Sequence, residues 1–386
     1  MVHETYDNIV AILLVGLIFV GAVLLMPALS FSNIQSVDYQ QLRNTAVNVF
    51  DSILLSPGDP VEWGSTQDFS VENVNAFGLA KYQNSHFYIL DPDKVQRLKS
   101  GNPLGEITNE EAKELLNLDG YGFTLRIIPP FNVTNIDGTK ITTDNSPIDS
   151  NLLDERECRY DVKVSFLDGR PIAYADVQSL VVYTDGDDFA QAGPHVKQTN
   201  SLGICTDSIA LEFVPTIVIV ILTIDVAQVA TLVVTFGSDM PNVVDINMVG
   251  DDIILTKPDN NPTGATIFIN GIYVYKDDKI ATLFEDFKSK EKFTYTQSGS
   301  YEEWIGHFPG VKHYEPSLVI LNYDNTEGEG GRQDFIVAGP YQNLLGYSIF
   351  EYGTSPKISD TAIRIQRSVL ISGMTYTAEL VFWKER

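Results

Sequence analysis

The sequence predicts a mainly β protein carried on one long N-terminal helix, apolar first and amphipathic second. Three observations predict it. Residues 9–26 contain no charged and no polar side chain. Apolar residues then recur at helical spacing as far as Leu54. Beyond that point the chain turns to short runs of alternating apolar and polar residues, punctuated by Gly, Pro, Asn and Asp.

The first run, NIVAILLVGLIFVGAVLLMPALS, continues through Pro27, Ala28 and Leu29. At about 1.5 Å per residue it covers roughly 27 to 30 Å, enough for a bilayer core. Residues 9–29 are therefore read as a membrane segment. A retained anchor is favoured over a cleaved signal, because MVHETYDN in front of it has no Lys or Arg. The alternative rests on Ala28 and Ser30, small residues at a plausible cleavage spacing. Within the run Gly16 and Gly21 are the candidate helix-packing positions, since small residues let backbones approach closely.

In SNIQSVDYQQLRNTAVNVFDSILLS, the apolar residues are Ile34, Val37, Leu42, Ala46, Val49, Phe50, Ile53 and Leu54. Gln40, Arg43, Asn44, Asn48 and Asp51 fall on the other side. SPGDP, with two prolines and a glycine, ends the helix. The first unit thus covers residues 1–56.

Residues 57–150 read as a membrane-proximal α/β region. DPDKVQRLKSG offers Asp91 as N-cap, Pro92 at the first helical position and Gly101 as a stop. TNEEAKELLNLDG carries a capping box, Thr108 with Glu111. GFTLRIIP sets Phe123, Leu125 and Ile127 against Thr124 and Arg126, a half-buried strand. The Pro-, Asn- and Asp-rich stretch that follows predicts a boundary near Asp149.

Residues 151–238 form the third unit. YDVKVSF places Tyr160, Val162, Val164 and Phe166 on one face, with turns at Asp168-Gly169 and Gly203. VPTIVIVILTIDVAQVATLVVTF, residues 214–236, imitates a second membrane span. Asp225 and Gln228 near its middle, and its β-branched residues, favour two core strands joined by a short turn.

Residues 239–386 read as one further β-rich domain, either packed with 57–150 or separate from it. Asn270-Gly271 in TIFINGIYVY predicts a hairpin turn, SLVILNYD a strand, and RIQRSVLISGMTYTAELVFW two strands around Ser372-Gly373. In the last of these Tyr376, Ala378, Leu380 and Phe382 share a face. NTEGEGGRQD, residues 325–334, reads as an acidic loop.

The chain has 51 acidic and 26 basic residues, a formal net charge of −25. Such a surface repels nucleic acid and anionic lipid, so neither is an expected partner. Cys158 and Cys205, 47 residues apart (205 − 158), are read as a disulfide if the domain is extracellular, against the alternative of two buried thiols. NVT makes Asn132 a glycosylation sequon.

Catalytic signatures do not emerge. His3, His86, His195, His307 and His313 show no HExxH spacing, and His307 and His313 read as loop residues. No nucleophile elbow and no phosphate-binding glycine loop is present. The expectation is no enzyme, no catalytic residue and no cofactor. Asp185, Asp187 and Asp188 in TDGDD are weak Ca²⁺ candidates, with an acidic solvated loop as the plainer reading.

A long helix, apolar then amphipathic, feeding a β-rich head resembles the plan of type IV pilins. The stretches LLSPGDPVEWGS, NVNAFGLAKY, YILDPDKVQRL and YGFTLRIIPPFNVT resemble archaeal pilin-like surface proteins with one N-terminal membrane helix. TYDN stands where prepilins carry a basic residue and then a small one, and the glutamate pilins place inside the apolar run is absent. Residues 159–236 resemble immunoglobulin-like or prealbumin-like β-sandwich modules. The resemblances imply a pilin-like α+β head with an Ig-like module, outside the cell on a single-pass anchor. The implied role is structural or adhesive, with self-assembly or other surface proteins as partners and a filament subunit or minor pilin as one form. The alternative is a membrane-tethered protein that binds an extracellular ligand or carbohydrate.

Overall fold

A computed structural model describes residues 38–66, 69–83, 88–100, 102, 104–137, 141, 147–149, 153, 155–185, 188–227 and 229–236 of the first two thirds. Beyond these it describes 245–258, 267–276, 279–285, 293–298, 301–308, 318–325, 332–338, 349–357 and 361–385. The protein is mainly β. The expected membrane segment 9–29, with Gly16 and Gly21, lies outside the described residues.

Helix α1 covers residues 38–55. Leu42, Ala46, Val49, Phe50, Ile53 and Leu54 are all buried, as their spacing predicts, while Gln40, Arg43, Asn44 and Asn48 are exposed. Ile34 and Val37 precede the described residues. After the helix come strand β1 (Ile89–Leu90), helix α2 (Pro92–Gln96), helix α3 (Asn109–Leu115) and strand β2 (Tyr121–Ile128). Both helix starts follow the sequence rules. Asp91 accepts from the Asp93 N–H with Pro92 behind it, and the Thr108–Glu111 capping box is complete.

Seven strands then form a two-sheet sandwich: β3 (Asn132–Thr134), β4 (Glu157–Ser165), β5 (Asp176–Thr184), β6 (Phe189–Gln198), β7 (Ile204–Ala210), β8 (Ile217–Val226) and β9 (Val229–Phe236). One sheet runs β3-β4-β7 and the other β6-β5-β8-β9. Tyr160, Val162 and Val164 from the first meet Val177, Val181, Val218, Val220 and Leu222 from the second in one core. Because β3 pairs with β4, the sandwich begins at Asn132, earlier than the boundary expected near Asp149. Phe166 does not continue the inward row of β4. It lies past the strand end and is 40% exposed.

A second sandwich follows, where the sequence predicts one undivided C-terminal domain. Its strands are β10 (Asp245–Val249), β11 (Asp252–Pro258), β12 (Ile267–Lys276), β13 (Lys279–Glu285), β14 (Phe293–Ser298), β15 (Tyr301–His307), β16 (Leu318–Asn325) and β17 (Arg332–Ala338). Their sheets are β10-β11-β15-β14 and β13-β12-β16-β17. This is the path of the first sandwich with one strand, β14, added. Asn270-Gly271 is not a hairpin turn. β12 runs straight through it, with a register shift between Ile269 and Gly271 against β16, and the hairpin with β13 closes where Lys276 opposes Lys279. The dipeptide thus marks a bulge, the other conformation in which a glycine inside a strand is used.

The chain finally returns through β18 (Phe350–Gly353), β19 (Ala362–Ile371) and β20 (Met374–Lys384). These strands complete a five-stranded sheet with the opening region, in the order β1-β19-β20-β2-β18, β1 being parallel to β19 and the rest antiparallel. The turn between β19 and β20 falls at Ser372 and Gly373, both with positive φ. Tyr376, Ala378, Leu380 and Phe382 share the inner face as expected, and α1 packs there with Phe123, Leu125 and Ile127. The base is therefore built from both ends of the chain, with two sandwiches inserted between them.

The sandwiches face one another. Leu180, Val182, Ile217, Ile219, Ile221 and Val234 on the outer face of β5-β8-β9 pack on Tyr273, Tyr275, Leu318, Ile320, Phe335 and Val337 of β12-β16-β17. The Phe189 and Tyr273 rings stack at 4.6 Å across this interface. This explains the run that imitates a membrane span. In β8 the even residues Val218 to Ile224 fill the first core, and Ile217, Ile219 and Ile221 fill the interface. A strand buried on both faces is apolar throughout rather than alternating. As expected from the sequence, β8 and β9 are two strands, Val226 opposing Val229 at a tight turn.

Candidate functional site

Among the described residues, three polar assemblies and one exposed loop end gather polar or exposed side chains. The first is built around α2. SPGDP, WGS, FGLA and DPDKVQR converge there, the same stretches that carry the pilin-like resemblance. Lys94, fully buried, donates to the Pro57 and Ala80 carbonyls at 2.8 Å each and lies 3.8 Å from the Asp91 carboxylate. Arg97 donates to the Gly64 carbonyl (3.1 Å) and the Thr66 carbonyl (2.5 Å), and also to that of Leu104. Its guanidinium stands 4.7 Å from the Phe69 ring centre. Burial lowers the Arg97 pKa to about 10, while Asp93 pulls it back up. It remains a cation at neutral pH.

Glycine is required at the closest approach. A Cβ on Gly64 would meet Lys94 backbone and side chain at 2.7 Å, and one on Gly78 would meet the Ser56 carbonyl at 2.2 Å. The same helix reaches the second sandwich. Gln96 donates to the Met248 carbonyl (2.9 Å), and Asp93 accepts from the Gly250 N–H (3.0 Å) and the Ser65 hydroxyl (2.7 Å). These cations are engaged with backbone carbonyls, so the assembly acts as a polar joint between base and second sandwich. The sequence reading identified α2 but not this role. Lys94 within the short helix and Arg97 just past its end, flanked by glycine-bearing loops, carry that signal in the sequence.

The second assembly closes an edge of the first sandwich. Asp207 on β7, its side chain 2% exposed, takes Lys197 of β6 at 2.8 Å and the Ser179 hydroxyl at 3.4 Å, with His195 at 3.9 Å. Lys197 is held protonated above its ordinary range chiefly by that hydrogen bond. Cys158 and Cys205 lie in the same core as free thiols, and the expected disulfide is not formed. The register gives the reason. Cys205 sits opposite Val162, and Cys158 opposite Ile209, four residues further along β4. That is about 13 Å along the strand, against the roughly 7 Å limit between Cα atoms for a bridge. Burial, reinforced by Asp207, pushes the Cys158 thiol to about 12 and the Cys205 thiol to about 11. Neither supplies a thiolate at neutral pH.

The third assembly lies on the base sheet. Glu379, 3% exposed, holds Arg126 (3.3 Å), Arg364 (3.6 Å) and the Gln366 amide (2.7 Å), and Arg126 also pairs with Glu351 at 2.8 Å. These neighbours across β18, β2, β20 and β19 make a cross-strand ladder of alternating charge.

The remaining sequence candidates are dispersed. His307 ends β15 rather than lying in a loop, and meets Asp252 of β11 at 2.6 Å; His313 lies outside the described residues. Asp185 accepts from the Asp188 N–H at 2.9 Å, and Asp187 lies outside the described residues. Among the described residues no group of three or more His, Cys, Asp or Glu side chains could hold a metal ion. Asn132 opens β3, half-buried, opposite Ser165.

The exposed loop end belongs to the first sandwich, where two turns lie side by side. The 166–174 turn leaves Phe166, Leu167 and Tyr174 exposed at 40%, 48% and 72%, and the neighbouring 199–203 turn leaves Leu202 at 62%. Hydrogen bonds tie the turns together or fold them back, among them Tyr174 N–H to the Thr199 carbonyl, Val164 N–H to that of Gly203, and Phe166 N–H to that of Arg170. Arg170 lies 2.7 Å from Asp168 and 5.4 Å from the Phe166 ring centre. Tyr174 has φ of +59°, a left-handed backbone that is unusual for a bulky aromatic.

No protein-family model matches the sequence, and no curated protein matches it. Among solved structures it is similar to Escherichia coli alpha-2-macroglobulin activated by porcine elastase, at 10% identity and a TM-score of 0.19 over 55% of this chain. The chain spans 22% of that protein's length. It is also similar to a chimeric titin Z1Z2 carrying a decorin peptide, at 13% identity and a TM-score of 0.15 over 56% of this chain and 96% of that one. At these scores neither carries an argument about fold or role. Among the described residues no helix is long and apolar enough to cross a membrane.

Proposed function

We propose that this chain is a membrane-anchored cell-surface protein with a structural or adhesive role, its β units held outside the cell by the 9–29 segment. The observation that carries the proposal is how closely α1 follows the apolar run in the sequence. The run ends at Leu29, and the buried stripe of α1 starts only thirteen residues later (42 − 29), at Leu42. A helix seated in the base by its apolar stripe would bring the base close to the bilayer. In this reading α1 and the five-stranded sheet are a pilin-like head. The two sandwiches are Ig-like modules, because each sets its first, second and fifth strands (plus one added strand in the second module) against its fourth, third and last two.

Protease added to intact cells tests the topology. Degradation of the head supports it, and cleavage only after lysis rejects it. Negative-stain microscopy of purified material then separates a filament subunit from a single tether. If filaments are seen, Gly16→Leu with Gly21→Leu should abolish them while membrane retention persists.

A further inference from the structure

We infer that the contact between the two sandwiches joins equivalent faces and also forms between two copies of the chain, the second sandwich of each packing on the first of the other. The strands correspond in order, β5 with β12, β8 with β16 and β9 with β17, in sheets that run β6-β5-β8-β9 and β13-β12-β16-β17. The correspondence extends to single residues. Leu180 of β5 lies opposite Ile221 of β8, which lies opposite Val234 of β9. In the same way Tyr273 of β12 lies opposite Ile320 of β16, which lies opposite Val337 of β17. Two residues further on, the pair Val182–Ile219 matches Tyr275–Leu318. All of these side chains belong to the one apolar cluster between the sandwiches. The residues between them turn the other way in both modules, Val181 and Val220 into the first core, Val274 and Val319 into the second. Phe189 of β6 and Ile280 of β13, from the corresponding outer strands, flank the cluster.

A contact between equivalent faces is the kind that joins two copies of a protein into a closed dimer. Here it joins two modules of one chain, and the links between them decide which modules can meet. Residues 237–244 connect β9 to β10, and residues 339–348 lie between β17 and Ile349. Eight extended residues (244 − 237 + 1) reach about 27 Å, well beyond the roughly 10 Å between packed sheets. The second sandwich is thus tethered by links long enough to seat it on a neighbouring copy. There it would remake every contact it left, the apolar face on β5-β8-β9 and the polar joint with Gln96 and Asp93. Reciprocal exchange closes at two copies and leaves no face uncovered. The term that opposes it is like charge, −25 on each copy, which salt screens. On the surface reading above, anchored neighbours would lock together in this way, but the pairing itself does not rest on that reading.

The test mixes two variants of the full-length protein in mild detergent. Phe189→Leu alters the first face and Tyr273→Leu the second; these rings stack at 4.6 Å, and leucine keeps apolar bulk. The mixture is held concentrated in about 0.5 M salt, with urea below the unfolding midpoint, then returned to buffer. Native mass spectrometry separates the mixed dimer from the two homodimers by mass. The parent chain, treated alike, is expected to yield a dimer. A mixed exchanged dimer gathers both changes into one interface and leaves the other native. It should therefore exceed its statistical share by about two- to tenfold, the worth of one stacked aromatic pair. The double variant mixed with parent chain should do the reverse, because exchange then spreads the damage over both interfaces. A parent chain that stays monomeric throughout overturns the inference. So does a dimer whose mixed form stays at its statistical share, since that dimer uses another surface. Should the double variant fail to fold, the two single variants still decide.

Discussion

The second sandwich is held by two interfaces of opposite character. Against the first sandwich it offers Tyr273, Tyr275, Leu318, Ile320, Phe335 and Val337, a mainly apolar face meeting another, with one hydrogen bond at 3.0 Å between the Tyr275 and Thr223 hydroxyls. Against the base it offers two backbone groups, the Met248 carbonyl and the Gly250 N–H, received by Gln96 and Asp93. Apolar contact is non-directional and scales with area, so it resists separation but tolerates sliding. Hydrogen bonds are directional and contribute little net energy, about 1 kcal/mol each, so they fix an angle. The difference teaches a division of labour: the apolar face binds the sandwiches together, and the polar joint sets their orientation on the base.

The largest effect expected at either interface is at Lys94, which underpins the joint. Lys94→Met would strand the Pro57 and Ala80 carbonyls and leave Asp91 without its cation, costing about 3 to 5 kcal/mol. Urea titration of the purified protein measures it, and a loss below about 1 kcal/mol would mean the joint is not built on this side chain. Next is the apolar face. Ile219→Ala should cost about 2 to 4 kcal/mol by cavity formation, since Ile219 is fully buried between the sheets.

The comparison is sharpened by Gln96→Leu. It removes the hydrogen bond to Met248 while keeping side-chain bulk, so the expected loss is only about 1 kcal/mol. Its signature should be geometric: small-angle scattering should show a broader distribution of shapes than for Ile219→Ala at matched stability. If both variants scatter alike, the division of labour fails.

The last effect concerns the thiols, which belong to neither interface and contribute no pH dependence near neutrality. Both have folded pKa values raised above the ordinary 9.0, to about 12 and about 11. Below pH 9 both states keep their protons and the contribution to stability is complete. Between pH 9 and 12 the unfolded chain loses protons first, so stability falls as pH rises. Melting temperatures across that window should drop, and less so in Cys158→Ala with Cys205→Ala. Alkylation of unreduced protein under denaturing conditions should label two thiols.

Local rules were legible in the sequence, and long-range ones were not. Caps at Asp91 and Thr108, the stripe of α1 and the inward row of β20 each depend on neighbours a few residues away. The failures depend on partners far along the chain. Asn270-Gly271 has the composition of a turn, but pairing with β16 on one side and β13 on the other keeps it in a strand. Cys158 and Cys205 sit on adjacent strands, and only the register reveals that they cannot meet. The second sandwich escaped because its strands, read singly, do not announce which sheet they join. Of the exposed loop end of the first sandwich, Asp168-Gly169 and Gly203 were visible as turns. Their side-by-side placement and the exposure of Tyr174 were not, because both follow from tertiary packing.

The shared sheet of the base has a consequence for how the protein is made. β2 needs β20 as its neighbour, and Tyr121 pairs with Lys384 near the end of the chain. During synthesis both sandwiches can close on their own strands as they emerge, whereas α1 and β2 must wait with their apolar faces uncovered. The ribosome delivers the missing strands only after both sandwiches. The base is therefore the slow, late step of folding, and the interval before its closure is when this protein is most exposed to aggregation.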